Sequence, residues 1–191
     1  LFMKSIFPEG SFTLELYVGL FKENVPIIVN SIWVCILSTV LAVIIGTVIA
    51  VYTSYTSKLK KRLITLLLML TMISPPFLSS LSYILLFGKR GFITADLLHL
   101  NVNPYGWHGI VVMQTFSEIS LAALILIGGL TTIPFSIIEA GKDLGSKSGD
   151  VLWKIILPML KTSIVAVFFI VFVKNIADFG TPIIVGGNFK M

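Results

Sequence analysis

A chain of 191 residues is long enough for one soluble domain. However, 56% hydrophobic residues, 12% charged residues and a mean hydropathy of +1.00 leave too little polar surface to cover a globule. The composition specifies an integral membrane protein, so the net charge of +5 is read by position, as a record of orientation, and not as a nucleic-acid footprint. Cys35 is the single cysteine and lies in an apolar run, which excludes a disulfide framework or a cysteine metal cluster and leaves a small buried hydrophobe. The chain opens at Leu1 without Met and stops at Met191 after a glycine pair, and is expected to be a piece lacking a spanning helix at each end. Residues 1–7, followed by Pro8, Glu9 and Gly10, are too short for a signal peptide.

Residues 8–25 carry Glu9, Glu15, Lys22 and Glu23 among aromatics and predict a loop or an interfacial amphipathic turn. From Pro26 to about Tyr55 the chain is apolar for longer than the roughly 20 residues that cross a bilayer, which makes the first span. Along it Ser38, Ala42, Gly46, Ala50 and Ser54 recur every four residues, a ladder of small side chains where another helix can approach closely. Lys58, Lys60, Lys61 and Arg62 follow, the densest positive cluster, and the positive-inside rule makes this a cytoplasmic loop.

Residues 63–87 predict a second span broken at Ser74, Pro75 and Pro76, because two prolines remove two donors and block the helix. Such breaks mark binding sites in transporters and also occur as plain kinks. Gly88 to Gly106 predicts an external loop, in which His99 is assigned no metal; nor is His108, just beyond it. The third span, Trp107 to about Leu130, carries Gln114, Ser117 and Glu118. A carboxylate inside a span faces the bundle interior or water, as part of a substrate path, a proton relay or a helix contact. A polar island follows over 131–158, then a fourth span from Met159 to about Ala177, leaving by Lys174 and Asp178. Counting inversions from the Lys58 cluster puts the 88–106 loop outside and the island inside, in agreement with Lys142, Lys147, Lys154 and Lys161.

Within the island Pro134 suits a first helical turn, and Ser136 with Glu139 matches a capping box. Gly141 and Gly145 predict a bend between them, and a second helix over 148–157 is expected to lead to Pro158 at the start of the next span. Two short helices joined at a bend form a knob over 134–158 that can pass a push from a soluble partner into the spans. An ordinary loop without a partner is the alternative.

Glu139-Ala140-Gly141, three residues, Gly145, nine residues, Ile155, one residue, Leu157-Pro158 resembles the EAA motif of ABC importer permeases, departing only at Gly141, where Ala is usual. Asn30-Ser31, the Ser-Pro-Pro break, the run from Phe87 to Gly91, and Asp178-Phe179-Gly180-Thr181-Pro182 with Gly186-Gly187 look like the ferric-iron and 2-aminoethylphosphonate subgroup. The resemblance implies an all-α type I importer transmembrane fold with about four complete spans. It implies one transmembrane domain over 1–191, in the multi-pass cell membrane of a prokaryote. Glu139, Ala140, Gly141, Gly145, Ile155, Leu157 and Pro158 are then the coupling residues, docking into a separate ATPase subunit that holds ATP and magnesium. A second permease half and an extracytoplasmic substrate-binding protein complete the implied assembly.

Gly141 to Ser148 does not form a phosphate loop, since aligning on Gly145 finds Ala140 and Ser146 where Gly and Lys are required. With no catalytic constellation either, the chain is expected not to be an enzyme, and to bind no cofactor, metal or nucleic acid. Ser74, Pro75, Glu118 and Asp178 are the expected substrate-path residues. Two readings compete with the importer: a proton-coupled secondary transporter using Glu118 and Asp178, and a structural subunit with no path.

Overall fold

The computed structural model describes residues 15–73, 76–97, 99 and 103–187, and among these there are helices and connections but no strands. Eight α-helices follow in order: α1 Glu15–Ser54, α2 Lys58–Ile73, α3 Pro76–Phe87, α4 Trp107–Thr131, α5 Phe135–Asp143, α6 Ser148–Val151, α7 Leu157–Ala177 and α8 Gly180–Val185. Two π-helical segments, Phe92–Leu97 and Leu152–Ile156, complete the described elements. Three helical stretches are long and apolar enough to cross a membrane: Asn24–Ser54, Trp107–Thr131 and Gly149–Ala177. A fourth crossing is formed if α2 and the stretch Leu78–Leu97, bent by 103°, count as one broken span.

Small residues set how closely the bundle packs. Ser38, Ala42, Gly46 and Ala50 are all buried, and a methyl group added at Gly46 would meet Ala122 Cβ at 2.8 Å and Ala123 N at 3.0 Å. Ser38 bonds Gln114 across a 76-residue separation, and Gly46 meets Ala122 at the same offset, so α1 and α4 run parallel. On α7, Asn175 bonds Thr39 and Gln114, whereas Ser163 lies against Gly129, so α7 runs antiparallel to both. Parallel packing of α1 and α4 requires the chain between them to cross back, and α2 with Leu78–Leu97 is the described stretch that can make that crossing. Ala42, Val43, Ala50, Ala122, Leu126, Leu160, Val167 and Val171 form the core where the three helices meet.

The structure departs from several sequence expectations. Residues 15–25 are not a loop, because α1 is a continuous helix of 40 residues with Pro26 inside it. The Lys58 cluster is not in a loop either, but forms the first turns of α2. The 88–106 segment, expected as a loop, contains the π-helical turn Phe92–Leu97. The fourth span does not begin after Pro158. Its helix is continuous from Ser148, passing through the π segment, whose widened turn is closed by the Leu157 N–H donating to Leu152 O. Pro158 has no N–H and its ring clashes with the fourth carbonyl back in a regular helix, and a widened turn just before it removes that conflict without a break.

Candidate functional site

The island is held at the end of the bundle where α1 and α4 finish, the end that also carries Lys58 to Arg62. Helix α5 starts one residue after Pro134, and the Ile137 N–H donates to Pro134 O. Ser136 therefore lies inside the first turn and does not cap it, contrary to the capping-box expectation. The helix also runs through Gly141 to Asp143, so the bend occupies only the end of the interval between the two glycines. It comes at Gly145, with φ +81°, where the Ser146 N–H reaches back to Gly141 O at 3.1 Å in the bond that closes a glycine-ended helix. A side chain at Gly145 would project into open space, so what this position requires is the left-handed backbone and not the absence of volume.

Gly141 has a different task. It is buried, and a methyl group there would meet Ile155 Cδ1 at 2.7 Å and Val151 Cγ2 at 3.7 Å. The third and the Ile positions of the spaced motif thus touch each other, clamping α5 onto the helix that continues as α7. Glu139 and Ala140 are exposed on the outer side of α5, Pro158 is exposed and Leu157 half-buried. Asp150 and Lys154 pair at 2.6 Å, a surface contact of small energetic weight.

A second polar constellation lies deeper in the bundle. Ser38 Oγ donates to Gln114 Oε1 at 2.9 Å, Gln114 Nε2 donates to Asn175 O at 3.2 Å, and Asn175 Nδ2 donates to Thr39 Oγ1 at 3.0 Å. The Thr115 hydroxyl adds a bond to Ser38 O at 3.4 Å. Three helices are thereby tied by groups that are all buried. One turn along α4, Glu118 Oε1 meets Lys174 Nζ at 2.9 Å, while Glu118 Oε2 is buried with no partner among the described residues.

Of the four expected path residues, Ser74 and Pro75 lie outside the described residues. Glu118 is buried between helices against Lys174. Asp178 Oδ1 accepts the N–H groups of Gly180 at 3.1 Å and Thr181 at 3.2 Å, and so caps the first turn of α8. Asp178 and Glu118 are not brought together by any contact among the described residues. Sequence reasoning missed Thr39 and Asn175. An asparagine in the last turn of an apolar helix was the available signal, since a polar amide at membrane depth needs partners.

The helical bundle and its apolar spans are those of a multi-pass membrane protein, and the comparison with known proteins gives its family. The chain belongs to the family of binding-protein-dependent transport system inner membrane components, the ABC importer permeases, whose model matches residues 20–190. It is similar to the putative ferric transport system permease protein FbpB 1 of Haemophilus influenzae, 28% identical over 87% of this chain and 27% of that protein. It is likewise 28% identical to the ferric transport system permease protein FbpB of Actinobacillus pleuropneumoniae, over 98% of this chain and 28% of that protein. The molybdenum transport system permease protein ModB of Mycobacterium tuberculosis is 24% identical over 79% of this chain and 58% of that protein. The chain spans less than a third of the length of the two ferric relatives.

Proposed function

We propose that this chain is the permease part of an ATP-driven importer in a prokaryotic cell membrane, forming an alternating-access path and coupled through 134–158 to a separate ATPase subunit. The observation that carries the coupling is the clamp of Gly141 on Ile155: a knob seated on the continuous helix Ser148–Ala177 moves that span when it is pushed. ATP and magnesium act on the partner subunit, a second permease half completes the path, and a substrate-binding protein delivers cargo from outside. The ferric names of two relatives favour ferric iron as substrate over a phosphonate such as 2-aminoethylphosphonate. No observation favours the proton-coupled alternative, in which Glu118 and Asp178 would act together.

The test is co-purification of the full-length protein from its native membrane, followed by ATPase assay of wild type, Gly145→Asn and Gly145→Trp. Asn tolerates the left-handed region and adds little bulk, whereas Trp is strained there and projects a large side chain from the knob surface. The expected result is a soluble ATPase that accompanies wild type and Gly145→Asn and is lost from Gly145→Trp. An ATPase retained by Gly145→Trp with normal substrate stimulation would remove 134–158 as the coupling surface.

A further inference from the structure

At the same end of the bundle a cleft of about 260 Å³ opens between the end of α1, the start of α2, the end of α4 and helix α5. Its floor is apolar, with Val51, Ile138 and Ile156, while Ser54, Tyr55, Lys61 and Thr131 supply its polar lining. The hydroxyls of Ser54 and Thr131 donate to their own helices, at Ala50 O and Gly128 O, which leaves Tyr55 and Lys61 as the donors available to a ligand. Lys58, Lys60, Lys61 and Arg62 lie together here, with no acidic residue in the first turn of α2. Among the described residues the ion pairs are Asp150–Lys154 and Glu118–Lys174, so none of these four cations is neutralised. Concentrated positive charge beside a half-apolar cleft, at the depth where a spanning helix emerges from the bilayer, matches an amphiphile with an anionic head.

We propose that this cleft is a binding site for an anionic phospholipid of the cytoplasmic leaflet, whose headgroup phosphate is held by Lys61 and Tyr55. The inference rests on the proposed orientation, which places this end of the bundle on the cytoplasmic side. The volume is below that of a drug-sized pocket and suits a headgroup phosphate with its glycerol, the acyl chains lying outside along the exposed faces of α1 and α2. Juxtamembrane basic clusters attract anionic lipid in general. What the cleft adds is a seat in contact with α5 through Ile138 and with the π segment through Ile156, so an occupied site braces the coupling knob against α1 and α4.

The experiment uses the full-length protein in phosphatidylcholine nanodiscs containing a small fraction of phosphatidylglycerol, spin-labelled on one acyl chain next to the glycerol, and reads the immobilised lipid. Lys61→Ala is expected to weaken retention about fivefold, and Lys58→Ala, which removes the same charge from the exposed side of α2, less than about twofold. Ile138→Trp, which fills the floor without changing charge, is expected to weaken retention as much as Lys61→Ala. Equal losses in Lys58→Ala and Lys61→Ala would overturn the proposal in favour of diffuse charge attraction. Displacement of the labelled lipid by inorganic phosphate would overturn it in favour of a soluble anion. Because the readout involves no ATPase, it can fail while the importer reading stands, and the importer reading can fail without altering it.

Discussion

Glu118 and Lys174 differ in burial, and that difference decides which loss is worse. The carboxylate side chain is 10% exposed and the lysine 50% exposed. Removing Lys174 strands a buried charge, whereas removing Glu118 leaves an ammonium that is not enclosed and whose long stem can carry it toward the membrane surface. Lys174→Ala is therefore expected to destabilise the protein by about 3 kcal/mol and Glu118→Gln by about 1 kcal/mol. Thermal unfolding in a fixed detergent measures both, and a larger loss in Glu118→Gln would contradict the burial argument. The same scale separates two glycines. Gly46→Ala drives a methyl group into Ala122 and the backbone at Ala123 and is expected to cost about 1–3 kcal/mol. Gly128→Ala on α4 meets open space and gains helix propensity, so its unfolding midpoint should hold or rise.

At the scale of elements, the π segment and Pro158 belong together. Pro158→Ala restores an N–H and removes the ring clash, so the widened turn Leu152–Ile156 loses its cause. Reverting to a regular helix would rotate Ile155 relative to α7 by up to about 100°, the turn of one residue. The expected outcome is an unfolding midpoint no lower than wild type together with weaker substrate stimulation of ATP hydrolysis, as the α5 clamp loses its seat. Full stimulation in Pro158→Ala would show that the widened turn has no part in coupling. Gly141→Ala, by contrast, displaces only the end of the flexible Ile155 side chain while gaining about 1 kcal/mol of helix propensity, and should leave stability and stimulation close to wild type.

For the whole molecule, the parallel run of α1 and α4 fixes which ends share a side. In a Cys35→Ala background, Lys60→Cys is expected to react with an impermeant thiol reagent from the cytoplasmic face alone, and Asp96→Cys from the opposite face alone. Both positions are exposed, so access and not burial controls the reaction. Labelling of both from one face would mean that α2 and α3 enter and leave on the same side, and that the 103° bend is a re-entrant turn.

The sequence by itself determined the membrane class, because apolar runs longer than a bilayer's thickness have one solvent in which they are stable. It also determined the ends of the third span and the ladder of small residues at Ser38, Ala42, Gly46 and Ala50, since each is a pattern written along one helix. Which residues meet across helices was decided only by tertiary structure. The small-residue ladder has a partner, but that the partner is Ala122 on a parallel α4 depends on how the intervening chain folds back. The bend belongs to Gly145 and the clamp to Gly141, although both are equally poor helix formers in isolation. Their roles separate only when Ile155 arrives against one of them. Likewise Pro158 reads as a helix start, and becomes an interior residue because the preceding turn widens to accept it. That Asp178 also caps a helix was likewise decided by the fold, because α8 begins two residues later, where two backbone N–H groups need an acceptor.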